Sequence, residues 1–303
     1  MNPPRLAAQI RRGDRRALAR GITLVENDAP EAGLLLRHLR PPWKAFIVGV
    51  TGPPGTGKSS LVDRLIEGYR RKGLRVGVIA VDPTSPITGG ALLGDRIRMG
   101  SHAGDKEVFI RSMASRGWSG GLSRAATQAI QLMDAAGFDL VFLETVGIGQ
   151  SDIEVVGVSH VVLVVLMPGL GDEIQVSKAG LMEVGDVYVV NKSDLEGADL
   201  MAATLLGMVK GARGRSPEVV KVSALSGGGI DRLLDSVESH RSRFDAGTSD
   251  LRLRSVRGMV LATAKGEVMR RLGRVSEGKA EKLAKLVLQG KIGVSEAAEK
   301  LVA

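Results

Sequence analysis

The residues whose types and spacing carry the most chemistry are Gly52, Gly55, Gly57, Lys58 and Ser59, set in VTGPPGTGKSS (50–60). They have the P-loop spacing G-x-x-x-x-G-K-[ST]. Glycines let successive backbone N–H groups converge on an anion, and the following helix adds the partial positive charge of its N-terminus. Pro53, Pro54 and Thr56 complete the loop and Ser60 follows it. Lys58 can reach the β- and γ-phosphates as a point charge, and the Ser59 hydroxyl suits Mg²⁺. The stretch therefore predicts a nucleotide site.

Asn191, Lys192 and Asp194, in NKSD, follow the apolar run DVYVV (186–190). A carboxylate at Asp194 can accept both the N1–H and the exocyclic amine of guanine. Adenine has no such donor pair, and a buried carboxylate left unpaired would reject it. The Lys192 stem can cover the purine ring, and Asn191 can bridge neighbouring loops. Ser223, Ala224 and Leu225 end the next run, where a backbone N–H can meet guanine O6. These motifs point to GTP or GDP.

Acidic residues near the same strand ends are candidates for the Mg²⁺ shell, with Ser59: Asp82 in AVDPTSP, Asp95 in GGALLGDRIRM and Glu144 in LVFLETVG. Magnesium takes oxygen ligands and retains waters, so some of these would act through water. Glu144 and Gly147, in ETVG, stand where GTPases carry the Asp-x-x-Gly switch whose glycine contacts the γ-phosphate. With Lys58 they form the expected catalytic set. The position that orients the attacking water in Ras-like enzymes is here Ile148, with Gln150 two residues on. Slow intrinsic hydrolysis, raised by a partner or by ordering of a loop, is the expectation.

Positioning these residues requires a sheet. The runs AFIVGV (45–50), RVGVIAV (75–81), DLVFLE (139–144), HVVLVVLM (160–167), DVYVV (186–190) and EVVKVSA (218–224) alternate with helix-like segments. Near-continuous apolar strands separated by helices predict a three-layer α/β P-loop domain with a mostly parallel sheet. Its ligands belong at the carboxyl ends of the strands. Residues 1–40 read as an N-terminal segment of two helices, 41–240 as the nucleotide-binding domain, and 241–303 as a helical arm. Candidate helices in the arm are 251–273, 276–289 and a last one capped by Ser295.

Composition narrows the partners. The net charge of +9 is carried by the flanks: residues 1–40 hold 8 basic and 4 acidic side chains, and 241–303 hold 14 and 7. Of the totals of 42 and 33, the central region keeps 20 basic and 22 acidic. Interspersed signs on helix-like flanks are solvated faces, so no nucleic-acid role is expected. No apolar run reaches the roughly 18 residues of a membrane span, and no signal-peptide core opens the chain. With 0 cysteines there is neither disulfide nor thiolate site. A cytoplasmic location is expected.

Long stretches resemble the MeaB/ArgK-type GTPases that act as chaperones of methylmalonyl-CoA mutase. They include RGDRRALARGITLVEN, GVTGPPGTGKSSLVDRL, GGALLGDRIRM, FIRSMASRGWSGGLSRA, LETVGIGQSDIEVV, MPGLGDEIQVSKAGLMEVGDVYVVNKSD and KVSALSGGGI. The resemblance implies a SIMIBI-class GTPase domain and an arm used for homodimerisation. It also implies a role in gating adenosylcobalamin delivery to methylmalonyl-CoA mutase, or to a related acyl-CoA mutase, and in protecting that enzyme. A cobalamin adenosyltransferase is a further candidate partner. Asp172, Gln175 and Lys178 lie in PGLGDEIQVSK, which resembles a segment coupling nucleotide to partner. The arm departs from the family in lacking aromatic residues over 252–272. Two other readings remain: a kinase or ATPase tied to basic amino-acid transport, and a metal-insertion GTPase. The latter is disfavoured by the lack of cysteine and by only four histidines, His38, His102, His160 and His240.

Overall fold

The structure is a computed structural model. It describes residues 2–39, 44–82, 102, 104–114, 124–145, 151–169, 181–209, 217–245, 249–273 and 277–302. Its centre is a seven-stranded sheet of β1 (Phe46–Thr51), β2 (Val76–Asp82), β3 (Val108–Ala114), β4 (Leu140–Glu144), β5 (Val161–Leu166), β6 (Val187–Val190) and β7 (Glu218–Lys221). The order is β3-β2-β4-β1-β5-β6-β7 and every pairing is parallel. The sheet is thus wholly parallel rather than mostly so. Sequence pattern missed β3, because VFIRSMA carries Arg111 and Ser112 in a half-exposed middle. As an edge strand it needs only its ends buried, so its apolar signal is weak. Glu144 consequently closes the fourth strand, not the third.

Alternation along each strand sends neighbouring side chains to opposite faces. On one face Val48, Val50, Phe142 and Leu163 pack with α4 (Lys58–Arg71), which supplies Leu61, Leu65 and Tyr69. The same layer takes Leu233, Val237 and Phe244 from a long helix at Ile230–Asp245. On the other face Ile47, Ile79, Val141 and Leu143 pack beneath α5 (Arg124–Ala135) and α6 (Ser151–Val158). A smaller cluster joins β5 and β6 to α7 (Ala198–Val209). The helix at Ile230–Asp245 is α8.

Three helices, α1 (Pro3–Arg11), α2 (Arg15–Glu26) and α3 (Ala32–His38), precede the sheet where two were expected. The helical periodicity of 6–27 does run on, but Asp14 breaks it locally. Its carboxylate accepts from Ala17 N–H at 2.9 Å, and so starts a new helix. The apolar faces of all three helices join the α5 side of the core through Leu6, Ile10, Leu18, Ile22 and Leu35.

The arm comprises α9 (Ser249–Gly273), α10 (Glu277–Leu288) and α11 (Val294–Val302). Ser295 lies inside α11 rather than capping it: the helix begins at Val294, and Ala297 N–H bonds to the Gly293 carbonyl. Helix α9 lies across α6 so closely that a Cβ on Gly258 would stand 1.9 Å from the Gly157 carbonyl oxygen. Beside this crossing, Ser255 Oγ donates to the Val158 carbonyl at 2.6 Å. Farther along, Gly266 lies against Arg124, whose guanidinium pairs with Asp28 and lies 3.8 Å from Glu267. Among the described residues no helix is long and apolar enough to cross a membrane.

His160 links α9 to the sheet. Its ring stacks on Phe46 and meets Phe244 at 4.2 Å, Arg252 lies over Phe244, and Nδ1 accepts from Ile47 N–H at 2.9 Å. Burial, with Arg252 and Arg254 nearby, pushes its pKa down to about 3.

Two expectations follow from this packing. Gly→Ala inside an exposed helix normally stabilises, yet Gly258→Ala must part α9 from α6. It should cost about 1–3 kcal/mol by urea unfolding, and an unchanged midpoint would show that the crossing does not bind the arm. For His160, the unfolded imidazole takes a proton below its ordinary pKa of about 6.5, whereas the folded one stays neutral until about 3. Stability from this group is therefore complete above pH ~6.5 and is lost as pH falls toward 3, with a slope of up to about 1.4 kcal/mol per unit. Denaturant melts at pH 7 and 5 should show a smaller fall for His160→Gln than for the native chain.

Candidate nucleotide site

The P-loop leaves β1 and enters α4. At Gly52 the chain grazes β5, since a Cβ there would stand 2.0 Å from the Val165 carbonyl oxygen. At Gly57 it turns into the helix with φ 85°, and a Cβ would meet Asn191 Nδ2 at 2.5 Å. Both requirements select glycine. Lys58, buried, curls back over the loop so that Nζ donates to the carbonyls of Gly52 (2.9 Å) and Pro53 (3.0 Å). Thr56 Oγ1 also donates to the Pro53 carbonyl, at 2.9 Å. Pro54, Gly55 and Ser60 are exposed on the rim.

Ser59, the second residue of α4, is buried and donates its hydroxyl to Glu144 Oε1 at 2.7 Å. The pair comes from chain positions far apart, brought together because β1 and β4 are neighbours in register, Val50 opposite Glu144. A hydroxyl and a carboxylate held together in a buried position are hard oxygen donors, and they fit a magnesium ion. Thr145 continues the strand, its N–H donating to the Val50 carbonyl at 3.1 Å. Of Asp82 only the backbone, the last residue of β2, is described. Asp95, Gly147, Asp172, Gln175 and Lys178 lie outside the described residues.

The base-recognition candidates form a second edge to the same site. Asn191 is 1% exposed at the end of β6. Its Nδ2 donates to the Thr56 carbonyl at 2.8 Å, and its Oδ1 accepts from Ala224 N–H at 3.1 Å. One amide thus ties the P-loop to the 223–225 loop. Lys192 takes a left-handed φ of 55°, uncommon outside glycine, and the next residue, Ser193, donates its N–H to the Val222 carbonyl at 2.9 Å. This turn leaves Asp194 exposed. A hydrogen bond from the Ser223 side chain holds its carboxyl below the usual range, so it is ionised at neutral pH and acts only as an acceptor. Ala224 is buried and Leu225 is 85% exposed.

Sequence reasoning missed Arg64, on α4. Its guanidinium reaches the carbonyls of Ala224 and Leu225, a contact across 160 positions that no local spacing could signal. On the same helix Asp63 and Glu67 lie within 4.8 Å of His102 through their ligating atoms. There His102 Nε2 is 3.1 Å from Asp63 Oδ1, and Glu67 pairs with Arg64.

Phosphate loop, oxygen pair and base loop all stand at the carboxyl edge of one parallel sheet. A sequence model of the family described as Methylmalonyl Co-A mutase-associated GTPase MeaB matches residues 18–275. The chain belongs to that family. It is a GTPase that binds GTP, with the α/β P-loop fold the family shares. A putative GTPase of Pyrococcus horikoshii is 51% identical over 243 residues, covering 78% of this chain and 77% of its own length. The GTPase ArgK of Escherichia coli is 38% identical over 272 residues, covering 85% and 81%. A solved structure described as a LAO/AO transport system kinase superposes with a TM-score of 0.72 at 26% identity, covering 99% of this chain and 97% of that one.

Because the Asn191 amide ties the P-loop to the 223–225 loop, Asn191→Ala should weaken GDP and GTP alike by about 10–100-fold, the cost of leaving two buried backbone groups unpaired. Isothermal titration calorimetry measures this, and undiminished affinity would remove Asn191 from the site.

Proposed function

We propose that this MeaB-family GTPase is a nucleotide-driven chaperone that gates adenosylcobalamin loading of methylmalonyl-CoA mutase, or a related acyl-CoA mutase, and protects that enzyme. The family name carries association with the mutase. The observation that carries the switch reading is the Ser59–Glu144 hydrogen bond. Glu144 heads the segment that leads to α6, and α6 is the helix on which α9 of the arm rests. A change at the γ-phosphate side of Ser59 is therefore two elements from the arm.

In this reading residues 41–240 turn over GTP, 241–303 form the dimerising arm, and 1–40 brace the core. Lys58 and the loop N–H groups hold the phosphates, and Asp194 accepts the guanine N–H groups. Ser59, with Glu144, Asp82 and Asp95 directly or through water, holds Mg²⁺, which when bound neutralises charge on the β- and γ-phosphates. Gly147 senses the γ-phosphate, and Asp172, Gln175 and Lys178 carry the state to the partner. A cobalamin adenosyltransferase is the natural second partner for a gate on cofactor delivery.

The deciding assay is turnover of GTP by the purified protein, alone and with methylmalonyl-CoA mutase, with ATP as the control. A slow GTP rate that rises several-fold on adding the mutase is expected. A rate indifferent to the mutase would sink the chaperone reading, and ATP turnover equal to that of GTP would favour the kinase alternative.

A further inference from the structure

The carbonyl edge of the 224–225 turn is gripped by a single side chain from the phosphate-side helix. Arg64 Nε donates to the Ala224 carbonyl at 2.8 Å and Nη2 donates to the Leu225 carbonyl at 3.1 Å. These two donors form one edge of the rigid guanidinium fork, which matches two acceptors presented side by side. Its remaining nitrogen, Nη1, lies 3.2 Å from Glu67 Oε2, one turn along α4, so the fork is held from behind. Lysine, a point donor on a flexible stem, cannot make this three-sided contact.

The consequence lies in the peptide plane. The Ala224 carbonyl and the Leu225 N–H belong to the same peptide unit, which is trans, so they point in opposite directions. Fixing the carbonyl toward α4 aims the N–H away from α4. The preceding N–H, that of Ala224, is spent on Asn191 Oδ1. The Leu225 N–H makes no hydrogen bond among the described residues, and Leu225 is exposed. The loop is thus held by Asn191 on its N–H side and by Arg64 on its carbonyl side, and one donor is left presented.

We propose that Arg64 is a specificity-determining positioning residue: by clamping the 224–225 peptide it aims the Leu225 N–H at the 6-oxo group of the purine. This rests on the reading of Asn191–Asp194 and Ser223–Leu225 as the base site. Arg64 does not touch nucleotide in this account. It converts the position of the phosphate helix into the orientation of a base-reading donor, so the purine's 6-substituent is read relative to the phosphates.

The test is a calorimetric comparison of GDP, IDP and 6-thio-GDP on the native chain, Arg64→Lys and Arg64→Ala, with thermal melts to confirm folding. IDP keeps the 6-oxo group but lacks the 2-amino group; 6-thio-GDP keeps the 2-amino group and N1–H but offers a poor acceptor at position 6. The native protein should prefer GDP to both. Arg64→Lys, which keeps the charge and the helix, should bind GDP and IDP about tenfold more weakly while 6-thio-GDP changes by less than about twofold. Single-turnover GTP hydrolysis at saturation should be unaltered, placing the loss in binding. Equal weakening of GDP and 6-thio-GDP in a folded variant would reduce Arg64 to a structural tie and overturn the proposal, as would no weakening at all. If the native protein fails to prefer GDP over IDP, the base-site reading itself is wrong, an outcome separate from the behaviour of the variants.

Discussion

A buried side-chain amide at the end of β6 fixes the site as a unit. Asn191 donates to the Thr56 carbonyl and accepts from the Ala224 N–H, which makes it the rivet between the P-loop and the 223–225 loop. Everything around it is shaped to admit it. Gly57 has no Cβ because one would collide with the Asn191 amide, and Lys192 turns left-handed directly after it. Buried polar groups of this kind are costly unless every partner is present. The two loops are therefore held in one relative position.

The wholly parallel sheet makes such a rivet possible. Strands β1, β4, β5, β6 and β7 all finish on one edge, so loops from distant parts of the chain meet there. Ser59 and Glu144, 85 positions apart, lie 2.7 Å from each other for that reason alone. Helix α4 extends the logic: it starts with Lys58 and Ser59, and less than two turns later presents Arg64 to the 223–225 loop. The stiffness of a packed helix transmits position where a flexible loop would dissipate it.

On the opposite face of the sheet, α6 joins the segment following Glu144 to the arm. The contact of Gly157 with Gly258 brings two helix backbones together without intervening side chains, and the Ser255 hydroxyl adds a hydrogen bond to the last carbonyl of α6. A seat this tight favours rigid-body movement over side-chain repacking, because interfaces at native density resist continuous deformation. His160, held neutral by burial among Phe46, Phe244 and the arm's arginines, ties the base of the same helix to the sheet.

The phosphate loop, NKSD, the alternation of buried strands with helices and the family itself were legible in the chain because each is written in local spacing: glycines at a turn, apolar runs of strand length, a carboxylate four residues past a strand. Local pattern failed where local forces do not decide. The half-polar edge strand β3 is a strand because β2 pairs with it, Asp14 splits one periodic stretch into two helices, and Ser295 looked like a cap although α11 had begun a residue earlier. Sequence alone determined which chemical groups the site contains and what ligand class they suit, since side-chain type and short-range spacing carry that information. Only the tertiary structure decided which of them touch: Ser59 with Glu144, Asn191 with both loops, Arg64 with the carbonyls of Ala224 and Leu225. Those contacts bridge between 33 and 161 positions of the chain, and their geometry is set by strand order and helix packing, quantities that no window of neighbouring residues encodes.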